Sequence, residues 1–160
     1  MNILRNRKLI TILSWMAVSL WMLLIFNMSS QEAEESNKLS EGVTEIVVET
    51  VEKVAPNIGL TVDDFNHTVR KNAHFFSYMI LGILVLNALR RSGVKDLRGY
   101  GFALSICVLY AISDEIHQHF VPGREPGVKD VFIDSAGSIV GLGLYLIMSI
   151  AFKKRHIKES

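Results

Sequence analysis

Cysteine and proline are nearly missing from this 160-residue chain, which holds one Cys and three Pro. The lone thiol, Cys107, excludes a disulfide framework and carries no information about redox compartment. Pro56, followed by Gly59, and Pro122, followed by Gly123, mark breaks between longer helical stretches. There is no glycine-rich nucleotide loop, no serine hydrolase motif and no phosphatase signature. Nor is there an internal repeat of the kind many transporters carry. No nucleic-acid partner and no cofactor are expected.

What is present in quantity is apolar sequence, with 49% hydrophobic residues and a mean hydropathy of +0.29. Leu9 to Met28 is an apolar run of 20 residues broken only by Thr, Ser and Asn. That is the length needed to cross about 30 Å of hydrocarbon. Arg5, Arg7 and Lys8 precede it, as they would precede a secretory signal. The run is long, and no small-residue cleavage site comes before Gln31, so an uncleaved anchor is expected. Three further apolar stretches follow, Ala73–Leu89, Gly99–Ser113 and Val131–Phe152; the first two of these reach spanning length only when their polar ends, Lys71 to Tyr78 and Asp114 to His119, are counted in the helix. The expectation is an all-α fold: a single domain over 1–160, a four-span transmembrane helical bundle with spans at about 9–28, 71–90, 99–119 and 130–152. A soluble bundle is the alternative, but four apolar helices in so short a chain leave little polar sequence to cover them.

Loop charge orients the spans. Eleven of the 17 Lys and Arg residues lie before the first span, between Arg90 and Arg98, or after Phe152, accompanied only by Asp96 and Glu159. The positive-inside rule then places both termini and the Arg90–Arg98 turn in the cytoplasm, in a multi-pass protein of the cell membrane. The 29–72 and 113–130 segments face outward. Within the first of these, Val43, Ile46, Val47, Val51 and Val54 recur at helical spacing while Glu45, Glu49 and Glu52 stay off the stripe. An amphipathic helix at 41–55 is expected in this outer loop, most simply as a packing cap. Thr61 and Asp64 resemble a capping box that opens the helix leading into the second span.

The polar residues inside or beside the spans are the functional candidates. An ionised side chain at the centre of a membrane helix costs roughly 2.5 to 3.5 kcal/mol even on insertion-based scales, so such residues need partners. Lys71, His74 and Tyr78 fall at i, i+3 and i+7 and share one helix face. Taken singly, Lys71 reads as a snorkelling anchor and Tyr78 as an interfacial aromatic. His74 needs a hydrogen-bond partner wherever it is buried. Asp114 and Gln118 stand at i and i+4, with Glu115 one position on. Asp130, Asp134, Gly137 and Gly141 form another single face, acidic outside and small below, which suits close helix approach. Arg124, between spans three and four, is expected to contact Glu115, Asp130 or Asp134.

His117 and His119, with Asp114, Glu115 and His74 near them, invite a metal reading. Residues two apart on a helix point about 200° from one another, so the two rings cannot share an ion unless the helix has already ended, and no metal is assigned. The remaining candidates, Lys71, His74, Tyr78, Asp114, Glu115, Gln118, Arg124, Asp130 and Asp134, all fall toward the outer end of the expected bundle.

Four ordered motifs also resemble the VanZ-like family of small bacterial membrane proteins: FNMSSQ after the first span, RKNAHFFSYMILG opening the second, SDEIHQHFVPGR closing the third and KDVFIDSAGSIVG opening the fourth. The resemblance covers roughly residues 20 to 145. Arg70, Lys71, His74, Tyr78, Glu115, Gln118, Arg124, Asp130, Asp134 and Gly137 occupy its polar and glycine positions, although relatives also carry Asn where Asp134 stands. The resemblance implies a role in the envelope, since the founding member is associated with low-level teicoplanin resistance; it implies no particular reaction.

The function expected is therefore an envelope protein with an outward-facing polar pocket that binds an amphiphile. Membrane lipids are its expected partners, together with an anionic lipid-linked or glycopeptide ligand; oligomeric state is left open. The competing expectation is a membrane-embedded hydrolase or transferase acting on a phospholipid or polyprenyl phosphate, with His74 or Glu115 as general acid/base. A purely structural bundle is the third.

Overall fold

Between Asn2 and Ser29 the sequence has neither Gly nor Pro, and it forms one unbroken helix, α1 (Asn2–Ser29). Three more follow: α2 (Val62–Arg91), α3 (Asp96–Gln118) and α4 (Val128–Lys158). The computed structural model describes residues 2–31, 62–124 and 127–158. The amphipathic helix expected at 41–55 lies outside the described residues. Each helix contains a segment long and apolar enough to cross a membrane: Arg5–Ser29, Lys71–Arg91, Asp96–Gln118 and Val128–Ala151. These agree with the spans read from hydropathy to within a few residues, and no strand occurs among the described residues. The protein is a multi-pass, all-helical membrane protein.

α2 is the central helix, packing against α4 most extensively and against α1 and α3 as well. Tyr78, Leu81, Val85, Leu86 and Ala88 are completely buried on it. Its neighbours meet it with small residues: Ala103, Cys107 and Ala111 on α3, and Gly137, Ser138 and Gly141 on α4. On the outside, Leu9, Leu13, Leu20 and Leu23 of α1, Leu109 and Ile116 of α3, and Phe132 and Ile147 of α4 remain exposed. Such a surface is satisfied by hydrocarbon rather than by water.

The turns alternate the helix directions, so the polar ends gather. α2 stops in a Schellman motif: Gly93 adopts φ +92, its N–H donates to the Arg90 carbonyl at 3.2 Å, and the Val94 N–H donates to the Leu89 carbonyl at 3.0 Å. α3 stops ahead of Pro122 and Gly123, the latter at φ +73. At the Gly93 end, Trp15 Nε1 donates to Ser92 Oγ at 2.9 Å, and Arg90 lies over the rings of Tyr100 and Tyr145. Arg7, Arg90, Arg91 and Lys95 line a cleft there. The opposite end joins the C-termini of α1 and α3 to the N-terminal parts of the α2 and α4 spans.

Candidate functional site

The site is built from all four helices at that second end. On α2, one stripe carries Lys71, His74 and Tyr78 inward, as their spacing requires. Lys71 Nζ meets Asp130 Oδ1 of α4 at 3.3 Å, with both side chains about 30% exposed (31% and 29%). One turn deeper, His74 Nδ1 stands 3.8 Å from Asp134 Oδ2 and 4.0 Å from Asp114 Oδ2. One imidazole thus faces carboxylates from two different helices. A further turn down, the Tyr78 hydroxyl donates to Asp114 Oδ2 at 3.4 Å.

Asp114 is tied to α1 as well. Ser29 Oγ donates to its Oδ2 at 2.9 Å, and Gln118 Nε2 donates to Ser29 Oγ at 3.2 Å. The resulting chain, Gln118 to Ser29 to Asp114, has each donor used in turn. Asp114 and Asp134 are 3% and 2% exposed, and Ser29 is fully buried. Ser138 Oγ bonds the Asp134 carbonyl at 3.1 Å, one turn back on its own helix, and also lies 3.3 Å from the Tyr78 carbonyl across the α2–α4 contact.

The other candidates sit around this centre with different partners. Glu115, half-buried, accepts a hydrogen bond from the Gly127 backbone N–H just before α4. Arg124 is buried, and its Nε and Nη2 donate to the Gln31 carbonyl at 3.1 and 3.0 Å, with Nη2 also 3.3 Å from the Met28 carbonyl. Those carbonyls belong to the end of α1, where a helix leaves acceptors without intrahelical donors. The guanidinium therefore caps the end of α1 through these carbonyls. His117 stacks on Phe26 at 4.4 Å and bonds Ser30 Oγ at 3.0 Å, while His119 is exposed beside Phe120. The pair that first suggests a metal in the sequence is thus divided between α1 and the outside. Among the described residues, the group able to hold an ion is His74, Asp114 and Asp134.

Sequence reasoning missed Ser29. It reads as one more tolerated hydroxyl at the end of an apolar run, and nothing in its spacing connects it to an aspartate 85 residues away.

The arrangement has buried carboxyl groups inside a helical bundle, a histidine between two of them, and a lysine at the rim. It can bind a cation, exchange a proton, or hold a polar headgroup. No curated protein and no solved structure matches the chain. The VanZ/LLP1 family model matches residues 14–149, a stretch that takes in all of these side chains, and the protein belongs to the VanZ/LLP1 family.

Proposed function

We propose that this protein is an envelope component whose polar end faces outward and engages the headgroup of an amphiphile: a membrane lipid, a lipid-linked wall precursor or a lipoglycopeptide of the teicoplanin type. Both termini and the Arg90–Lys95 cleft then lie in the cytoplasm, in keeping with the excess of basic side chains at that end. The observation that carries this reading is the gathering of polar side chains from four apolar helices at a single end. Polar groups are expensive at membrane depth and are retained there chiefly for a function. Lys71, on the rim and partly exposed, is the cation best placed to meet an anionic headgroup.

One observation favours a second reading, a hydrolase or transferase acting on a lipid or polyprenyl phosphate. His74 lies between two buried carboxylates, an arrangement that suits a general acid/base. Glu115, held by the Gly127 amide, is the other candidate for that role.

His74→Ala, Glu115→Ala and Arg124→Ala, each checked for normal accumulation in a bacterial host, separate these readings from a scaffold. Headgroup binding requires that teicoplanin susceptibility rise in at least the His74 variant. Full resistance in all three would reject both functional readings. Lipid profiling of a deletion strain divides the two, because an enzyme leaves a substrate to accumulate and a binder does not.

A further inference from the structure

Asp114 and Asp134 are almost fully buried, yet the Oδ1 atom of each has no hydrogen-bond partner among the described residues. Buried carboxylate oxygens are normally paired, so two such orphans on neighbouring helices call for an explanation. The contacts from His74 do not supply it. They run to the Oδ2 atoms, and at 3.8 and 4.0 Å Nδ1 is outside the ~2.7–3.2 Å range of a hydrogen bond even there. Yet one ligand atom from each of the three residues fits within 4.8 Å of the others. Donors held about 2.0–2.2 Å from a common ion lie roughly 3–4 Å from one another. The spacing is too wide for direct bonding and suited to a shared cation.

Charge points the same way. The ion pairs of Asp114 and Asp134 among the described residues both run to His74. A protonated imidazole cancels one of the two negative charges; a divalent cation beside a neutral imidazole cancels both. The surroundings also resemble an outer ligand shell. Ser29 and Tyr78 donate to Asp114 Oδ2, which orients the carboxylate and leaves Oδ1 uncommitted.

From this geometry we propose that His74, Asp114 and Asp134 bind a divalent transition-metal ion of the zinc or manganese class. One imidazole nitrogen with two carboxylates suits such ions better than magnesium or calcium, which favour oxygen donors throughout. Three protein ligands leave coordination positions for water or for an anionic oxygen such as that of a phosphate. The assignment stands independently of the headgroup reading, since metal content is measured without any amphiphile.

The test is direct. The full-length protein, purified in detergent through a tag without histidine from cells supplied with zinc and manganese, is analysed by elemental mass spectrometry. It is then stripped with a chelator and titrated with Zn²⁺ or Mn²⁺ while its thermal midpoint is followed. Near-stoichiometric metal and a midpoint raised on reloading are expected. His74→Ala and Asp114→Asn should weaken metal binding by roughly tenfold or more. His119→Ala, which alters an exposed ring outside the cluster, should keep wild-type metal content. A wild-type protein that carries no metal and neither rebinds nor is stabilised by either ion overturns the proposal, even if the variants fail to accumulate. So does unchanged binding in the His74 and Asp114 variants, which would reveal a site elsewhere.

Discussion

Gly137 of α4 lies so close to the Phe75 carbonyl of α2 that a Cβ built on the glycine would overlap that oxygen and crowd the backbone carbons beside it. His74 is the residue before Phe75, and Asp134 lies one turn before Gly137. The approach of the two backbones is therefore what brings the imidazole and the carboxylate together. Gly141 repeats the relationship against the Met79 carbonyl, and Gly82 reciprocates against Ser138. Gly137→Ala and Gly141→Ala should each force the helices apart and cost about 1–3 kcal/mol, the usual range for overpacking. Gly143, where an added methyl would meet nothing within 4 Å, provides the control, and Gly143→Ala should be near neutral. Thermal unfolding in detergent measures all three. Equal effects at Gly137 and Gly143 would refute the seam.

Ser29 is the second test of the packing. Its hydroxyl donates to Asp114 and accepts from Gln118, both buried. Ser29→Ala leaves a carboxylate oxygen with one donor fewer and strands an amide, a loss of about 1–3 kcal/mol. Ser113, whose hydroxyl bonds only the Tyr110 carbonyl on its own helix at an exposed position, should tolerate alanine with little change. Denaturant titration in detergent compares the pair, and an indifferent Ser29→Ala would remove this hydroxyl from the network.

These two examples divide what the sequence makes legible from what it does not. The span boundaries follow from hydropathy, and the inward face of α4 follows from Asp130, Asp134, Gly137 and Gly141 sharing one helical stripe. The stripe of Lys71, His74 and Tyr78 is equally readable, because period 3.6 places those residues on one side wherever the helix goes. Partners across helices are another matter. That His74 reaches both Asp114 and Asp134 depends on the relative axial positions of three helices, which the small residues fix only once they are packed. Arg124 shows the same limit. Any helix C-terminus offers carbonyl acceptors, so its bonds to Met28 and Gln31 have no residue-type signature, whereas a nearby acid does.

Orientation in the membrane is open to a direct check. With the Arg90–Lys95 end inside, a fluorescent protein fused to either terminus or inserted at Gly93 should fluoresce in the cytoplasm. A periplasmically active phosphatase inserted at Gly123, in the turn after α3, should be active. The reverse pattern would place the site on the cytoplasmic face and eliminate an extracellular ligand such as a lipoglycopeptide.

Lys71 separates stability from binding. Its pair with Asp130 is 3.3 Å long and about 30% exposed (31% and 29%), and partly exposed pairs are worth about 0.2–1 kcal/mol after screening. Lys71→Ala should therefore leave the thermal midpoint nearly unchanged. If Lys71 is the cation that meets an anionic headgroup, the same variant should nevertheless lower protection against teicoplanin, and Lys71→Arg should restore most of it by keeping the charge. Asp130→Asn adds the sign of the effect. Removing the competing carboxylate frees the ammonium for a ligand, so protection should be kept or strengthened, whereas a structural ion pair would fail equally from either side. Equal loss in Lys71→Ala and Asp130→Asn, accompanied by a fall in accumulation, would make the pair a scaffold contact and remove Lys71 from the binding role.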